Sequence, residues 1–224
     1  MEIKVSGDAV KTTIVARRPS WADMEKHYPA KNITADVLYD QMIGGRFKGA
    51  NNVPAYKNTC AVRMSYALNR SGLPLGVAPS NDGSPTGGDG FRYWIRVSDL
   101  APFLIKQFKG ADEELTLPMI PAALYTDVEA MKEPYIKRRR MAQAWLDTKL
   151  AGKKGIVVFT VGGWSGATGH FTLWDGVKKT LAYANHYDNP ETSSYYFWLT
   201  KYVPPEDGGP ALVQASSVKF WELK

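Results

Sequence analysis

Gly155-Ile156-Val157-Val158-Phe159-Thr160-Val161 is the stretch that most narrows what this chain can become. Apolar, rich in β-branched residues and only a few residues long, it suits a central strand and is too short for an ordinary helix. A glycine-rich stretch from Gly162 to Gly169 leads to a second run, His170-Phe171-Thr172-Leu173-Trp174. Asp175-Gly176 then signals a hairpin, returned by a strand within Lys179 to Ala184. With Tyr195 to Thr200 and Val218 to Leu223, this predicts a sheet of five or six mostly antiparallel strands.

Helical signals come before that sheet. Ser20 opens a short helix carrying Trp21 and Met24, and Thr34 opens another carrying Val37, Leu38 and Met42 before Gly44-Gly45 stops it. Asn58-Thr59-Cys60 leads into Ala61, Met64 and Leu68 at helical spacing, and Ser71-Gly72-Leu73-Pro74 supplies the stop. Gly76 to Gly90 reads as a surface loop. Phe91 to Val97 alternates apolar and polar residues, which predicts a strand, and Ser98 is expected to cap a helix through Phe108. Asp127 to Leu150 reads as a helix broken at Pro134, with Lys137-Arg138-Arg139-Arg140 on its solvated face. Helices first and a contiguous sheet afterwards make the fold class α+β, and with no repeat or linker residues 1–224 read as one domain.

The chain has 224 residues, 44% hydrophobic and 22% charged, with one cysteine, three histidines and a formal charge of +6. A disulfide within the chain and a multi-thiolate zinc site are both excluded, and with three histidines a metal centre would have to draw heavily on carboxylates; no metal or other cofactor is expected. No stretch reaches the ~18 to 20 apolar residues of a membrane span. Met1 to Arg18 lacks the order of a secretory signal, so the expectation is a protein made and folded in a cytoplasm. The basic charge favours anionic partners. Nucleic acid is disfavoured, since zinc-finger spacing, RNP-like aromatics and a phosphate loop are all missing.

Cys60 falls in the first turn of its helix, where unsatisfied N–H groups and the positive end of the dipole stabilise a thiolate and an oxyanion. A lone cysteine is otherwise an inert core residue, but the polar lead-in Lys57-Asn58-Thr59 puts this one at the mouth of its helix. A nucleophilic thiol needs an imidazole base held by a third polar group. His27 lies at a polar helix end and His186 in a loop-like run, whereas His170 starts a strand directly after small residues that leave room for substrate. Positions opposite His170 on the returning strand fall at about 181 to 188, which offers Asn185, His186 and Asp188.

Asn58-Thr59-Cys60-Ala61-Val62-Arg63-Met64-Ser65-Tyr66-Ala67-Leu68-Asn69-Arg70-Ser71-Gly72, together with Thr168-Gly169-His170-Phe171-Thr172-Leu173-Trp174-Asp175-Gly176, resembles the fourth family of type VI secretion amidase effectors. Val218-Lys219-Phe220-Trp221-Glu222-Leu223 is similar to that family's last strand. The resemblance implies a papain-like fold of the NlpC type, with the nucleophile helix and other N-terminal helices packed on the sheet. It also implies a Cys-His-Asp site cleaving the γ-D-glutamyl–meso-diaminopimelate bond of Gram-negative peptidoglycan. By position Cys60 becomes the nucleophile, His170 the base and Asp188 the third member, with Asn185 in reserve. Several members of the family place a disulfide beside that Asp, and this chain lacks it.

Further implications are delivery by the type VI machinery into the periplasm of a competing Gram-negative cell and a cognate immunity protein that plugs the cleft. Arg92 or Arg96 is expected to assist capture of the carboxylate-rich stem peptide. Two other readings stay open on the residues alone. One is a cysteine hydrolase or acyltransferase acting on a protein or small amide, and the other is a non-catalytic basic binding module.

Overall fold

The structure, a computed structural model, describes residues 2–7, 10–15, 18–124, 126–184, 186–203 and 211–224. A two-stranded antiparallel hairpin, β1 (Glu2–Gly7) and β2 (Val10–Val15), comes first. Helix α1 (Trp21–His27) starts where expected, because the Ser20 hydroxyl accepts the Asp23 N–H at 3.0 Å and satisfies an orphan donor of the first turn. The Thr34 hydroxyl likewise accepts the Val37 N–H at 3.3 Å, ahead of a π-helical stretch, Val37–Ile43, that ends at Gly44 with φ +66°.

Helix α2 (Cys60–Arg70) is nearly all buried. Its end is a Schellman arrangement: Gly72 takes φ +84°, which lets the Leu73 N–H return to the Leu68 carbonyl at 3.0 Å. The next segment departs from expectation. Phe91 to Val97 is no ladder strand, and its one bridge is Thr86 to Arg92. Its polar backbone is satisfied instead from α2: Ser65 Oγ bonds both the N–H and the C=O of Trp94 at 3.1 Å, and Asn69 donates to the Arg92 carbonyl at 2.8 Å. Helix α3 (Val97–Gln107) consequently starts two residues earlier than a Ser98 cap requires, with Arg96 in the cap position.

The main sheet runs β3-β8-β4-β5-β6, every neighbouring pair antiparallel. Its strands are β3 (Glu113–Thr116), β4 (Lys154–Gly162), β5 (Gly169–Asp175), β6 (Thr180–Leu181) and β8 (Ala211–Glu222). Strand β7 (Thr200–Val203) shares an edge of β8 with β3. The preceding Tyr196–Trp198, expected within a strand, is a 3₁₀ turn. Alternate residues of β4 serve two cores. Ile156 and Val158 join Met64 and Leu68 of α2 with Leu100 and Leu104 of α3, while Val157, Phe159 and Val161 join the far side, covered by helix α4 (Val128–Trp145). The sheet is thus the middle layer of three, and β4 is buried on both faces, as its composition requires.

Pro134 stays inside α4, so the expected break does not occur. The basic run is also not uniformly solvated. Arg138 lies four and seven residues before Ala142 and Trp145, on the inward stripe, and its side chain is fully buried. Its guanidinium donates to the carbonyls of Pro118 (2.5 Å), Ala215 (2.7 Å) and Leu199 (3.1 Å) and to the Thr200 hydroxyl (3.1 Å), tying together the segments where β3, β7 and β8 diverge. Desolvation lowers its pKa to about 10, still charged at neutral pH. Arg138→Ala orphans these acceptors and is expected to lower the unfolding free energy by about 4 kcal/mol, whereas exposed Arg140→Ala changes it by less than about 0.5 kcal/mol. Urea denaturation of the two variants checks the contrast.

Candidate active site

The N-terminus of α2 points its first residue, Cys60, into a cleft. Thr59 is the cap residue, but its side chain makes no capping bond to the helix backbone. The N–H groups of Ala61 and Cys60, joined by that of Phe171 on β5, are therefore available to the sulfur. Burial pushes the thiol pKa up, and these three N–H groups and the charge of Arg63 partly offset that rise. In the resting protein the group is a buried, neutral thiol with a built-in environment for its anion.

His170 sits opposite Phe159 in the β4–β5 register. The approach is tight: a Cβ on the preceding Gly169 would lie 2.3 Å from the Phe159 carbonyl oxygen, so only glycine fits there. Tyr196 stacks on the imidazole at 4.3 Å and on Phe159 at 5.0 Å, and Tyr183 stacks on the imidazole at 5.8 Å. His170 Nε2 lies 2.7 Å from the Tyr183 carbonyl oxygen. A carbonyl can only accept, so Nε2 carries the proton and Nδ1 is left as a bare acceptor. Burial pulls the imidazole pKa down to about 4, with the Tyr183 carbonyl opposing the shift.

That shift has a stability consequence. An unfolded histidine with its ordinary pKa near 6.5 takes up a proton that the folded one refuses until about pH 4. Stability is therefore retained above about pH 6.5 and falls as pH drops toward 4. From pH 7 to pH 5 the loss from this group is about 2 kcal/mol. His170→Gln is expected to lack that part of the pH dependence in chemical denaturation.

The cleft has two limbs that meet at Cys60. One, of 470 Å³, is lined by Lys57, His170, Tyr183, His186, Tyr187 and Tyr196 among others. The other, of 390 Å³, is lined by Ile95, Arg96, Val97, Ser98 and Thr168 among others. Asn58 and the glycine-rich loop border both, and the Asn58 amide donates to the Gly166 carbonyl at 3.0 Å across them. Cys60 and His170 are thus brought to one cavity. His186 is an exposed residue on its wall, packed on Tyr187, and His27 lies elsewhere at the end of α1.

Asp188 is not brought to the imidazole. It is exposed, does not line either limb, and its charge acts on Tyr195. Asn185 lies outside the described residues. The position on the distal nitrogen is taken by the backbone of Tyr183, which falls within the stretch expected to return beside His170. Of the two arginines expected to help bind substrate, Arg96 lines the second limb and Arg92 does not. Among the described residues no group of three or more His, Cys, Asp or Glu converges to hold a metal, and no helix is long and apolar enough to cross a membrane.

Residues 56–198 match the sequence model of the family described as "Type VI secretion system (T6SS), amidase effector protein 4". Comparison with curated proteins gives no match. Among solved structures, the Tae4–Tai4 effector–immunity complex from Enterobacter cloacae is 26% identical over 93% of this chain and 100% of that one, with a TM-score of 0.58. The effector Tae4 of the same organism, solved by itself, is 25% identical over 94% of this chain and all of its own, with a TM-score of 0.57. A Tae4–Tai4 complex from Salmonella Typhimurium, at 24% identity and TM-score 0.57, shares the fold. The matched segment runs from the loop before the cysteine through the strand that carries the histidine, and covers more than half of the sequence. With its helices and antiparallel sheet in the papain-like arrangement of those structures, the chain belongs to the type VI secretion amidase effector 4 family of peptidoglycan amidases.

Proposed function

We propose that residues 1–224 form one papain-like amidase domain in which Cys60 and His170 cleave the γ-D-glutamyl–meso-diaminopimelate amide of peptidoglycan stem peptides. The supporting observation is a buried thiol at a helix N-terminus sharing one cavity with a buried histidine whose Nδ1 is left unprotonated. The thiol proton passes to Nδ1 as Sγ attacks the γ-carbonyl carbon of D-glutamate, and the backbone N–H of Cys60 donates to the developing oxyanion. Collapse breaks the C–N bond, and the departing amine of diaminopimelate takes the proton from His170. Water, deprotonated by the same imidazole, then hydrolyses the thioester and regenerates the thiol. The neutral imidazole required at the start persists down to about pH 4.

The Tyr183 carbonyl is assigned the orienting role expected of a third catalytic side chain. Arg96 lines one limb beside the thiol and Lys57 the other, which places a cation on either side of a scissile bond flanked by carboxylates. The protein acts in the periplasm of the target cell, and an immunity protein of the producing cell covers this cleft, as Tai4 forms complexes with Tae4 in the solved structures. The test is expression in a Gram-negative host with and without an added periplasmic signal. Lysis is expected only for the periplasm-directed wild type and not for Cys60→Ala. Lysis by the cytoplasmic form, or by the alanine variant, would sink the reading.

A further inference from the structure

Arg63 is a fully buried cation one helical turn beyond the catalytic cysteine's cap, and the reaction described above gives it no task. Its Nε donates to Thr59 Oγ1 at 2.8 Å, and its remaining nitrogens donate to the carbonyls of Pro29 (2.7 Å), Ala30 (3.0 Å) and Ile33 (2.7 Å). The guanidinium carbon lies 4.0 Å from the centroid of the Tyr183 ring. Among the described residues no carboxylate pairs with it. A buried charge satisfied only by neutral oxygens is costly to keep unless its field is used.

We propose that Arg63 is a positioning residue for the Cys60–His170 pair, holding the cap of the nucleophile helix and the Tyr183 anchor of the imidazole together, and that its charge is answered when Cys60 becomes an anion. The inference rests on Cys60 and His170 being the reacting pair. Two contacts carry it. Thr59 immediately precedes the nucleophile, and Tyr183 is the residue whose carbonyl holds His170 Nε2, so a single planar group sets both reacting partners. The titratable groups packed against the thiol and imidazole are Tyr28, Tyr39, Tyr183 and Tyr196, and Lys57, Arg96, His186 and Tyr187 line the cleft around them. Burial holds the hydroxyls of Tyr28, Tyr39 and Tyr196 protonated, and Lys57 and Arg96 stand on the open walls of the cleft, so Arg63 is the buried fixed charge that favours the thiolate and opposes imidazolium. Arg138 is the internal comparison: equally buried and carbonyl-bound, it is held by Pro118, Leu199, Thr200 and Ala215 and not by the neighbours of the reacting residues.

The experiment is steady-state hydrolysis of a soluble stem peptide across pH by Arg63→Gln, Arg63→Lys and Arg138→Gln, with Cys60→Ala in the same assay. For Arg63→Gln the expectation is a kcat lower by about 100-fold with KM changed by less than about threefold. The acid limb of kcat/KM should also move up by about one pH unit, because the charge that opposed protonation of His170 is gone. Arg63→Lys keeps the charge and should keep the limb while lowering kcat; Arg138→Gln should lower the melting temperature and leave the limb in place. A folded Arg63→Gln protein with unchanged kcat, or with reduced kcat and an unmoved limb, overturns the proposal. If Arg63→Gln does not fold, Arg63→Lys decides: an unmoved limb with lower kcat supports it and a displaced limb overturns it. Activity in Cys60→Ala would instead remove the reacting pair itself, a distinct failure.

Discussion

Cys60→Ser is expected to lower kcat on stem peptides by at least about 10⁴-fold while leaving the fold intact. The conservative oxygen variant is the informative one, because it keeps size, polarity and the three N–H groups around the side chain. What it changes is acidity. The imidazole that must accept the proton is held near pKa 4 by burial, so it is a weak base that can deprotonate a thiol only with help from the surrounding N–H groups and Arg63. An alcohol is several units less acidic than a thiol, and the same base cannot activate it. Far-ultraviolet circular dichroism with the kinetic assay separates loss of chemistry from loss of fold. A serine variant with appreciable activity would mean that the residue is not the nucleophile.

His170→Asn is expected to cost about as much, 10³- to 10⁴-fold in kcat, since removing either member of a nucleophile–base unit disables the unit. Asparagine is too short to reach the Tyr183 carbonyl, so comparison with His170→Gln, whose longer amide extends to the Nε2 position, separates the missing base from an unsatisfied buried acceptor. The variant also distinguishes two accounts of the third group. If the Tyr183 carbonyl orients the ring, Asp188→Asn leaves kcat within about threefold, as for other exposed positions away from the reacting atoms. A loss for Asp188→Asn comparable with that of His170→Asn would return the orienting role to the aspartate.

What the sequence discloses here follows residue type. Helix α2 is legible because its start, its apolar spacing and its glycine stop are all side-chain signals, and Gly72 indeed adopts the left-handed conformation that such a stop needs. The β4–β5 pair is legible because a strand buried on both faces must be continuously apolar. The group holding His170 is not legible, since a backbone carbonyl can belong to any residue, and attention goes instead to the side chains of Asn185, His186 and Asp188. Arg63 and Arg138 are hidden for the opposite reason: arginine is read as a surface residue, and nothing local marks the few carbonyls that draw these two inside. Phe91 to Val97 has strand-like alternation, yet Ser65 and Asn69 of α2 satisfy its backbone where a neighbouring strand would otherwise be needed. Strand β3, four residues long with two glutamates, owes its existence to its place beside β8.

The central claim is that Cys60 attacks the carbonyl on the D-glutamate side of one amide, and the muropeptide products test it most directly. Purified Gram-negative sacculi are digested with the wild-type protein or with Cys60→Ala, solubilised with a muramidase and resolved by liquid chromatography and mass spectrometry. The account predicts disaccharide carrying only L-alanyl-D-glutamate, together with released peptides whose new amino terminus is diaminopimelate, in the wild-type digest alone. Intact stem peptides after wild-type treatment, cleavage at a different bond, or the same products from Cys60→Ala would contradict it.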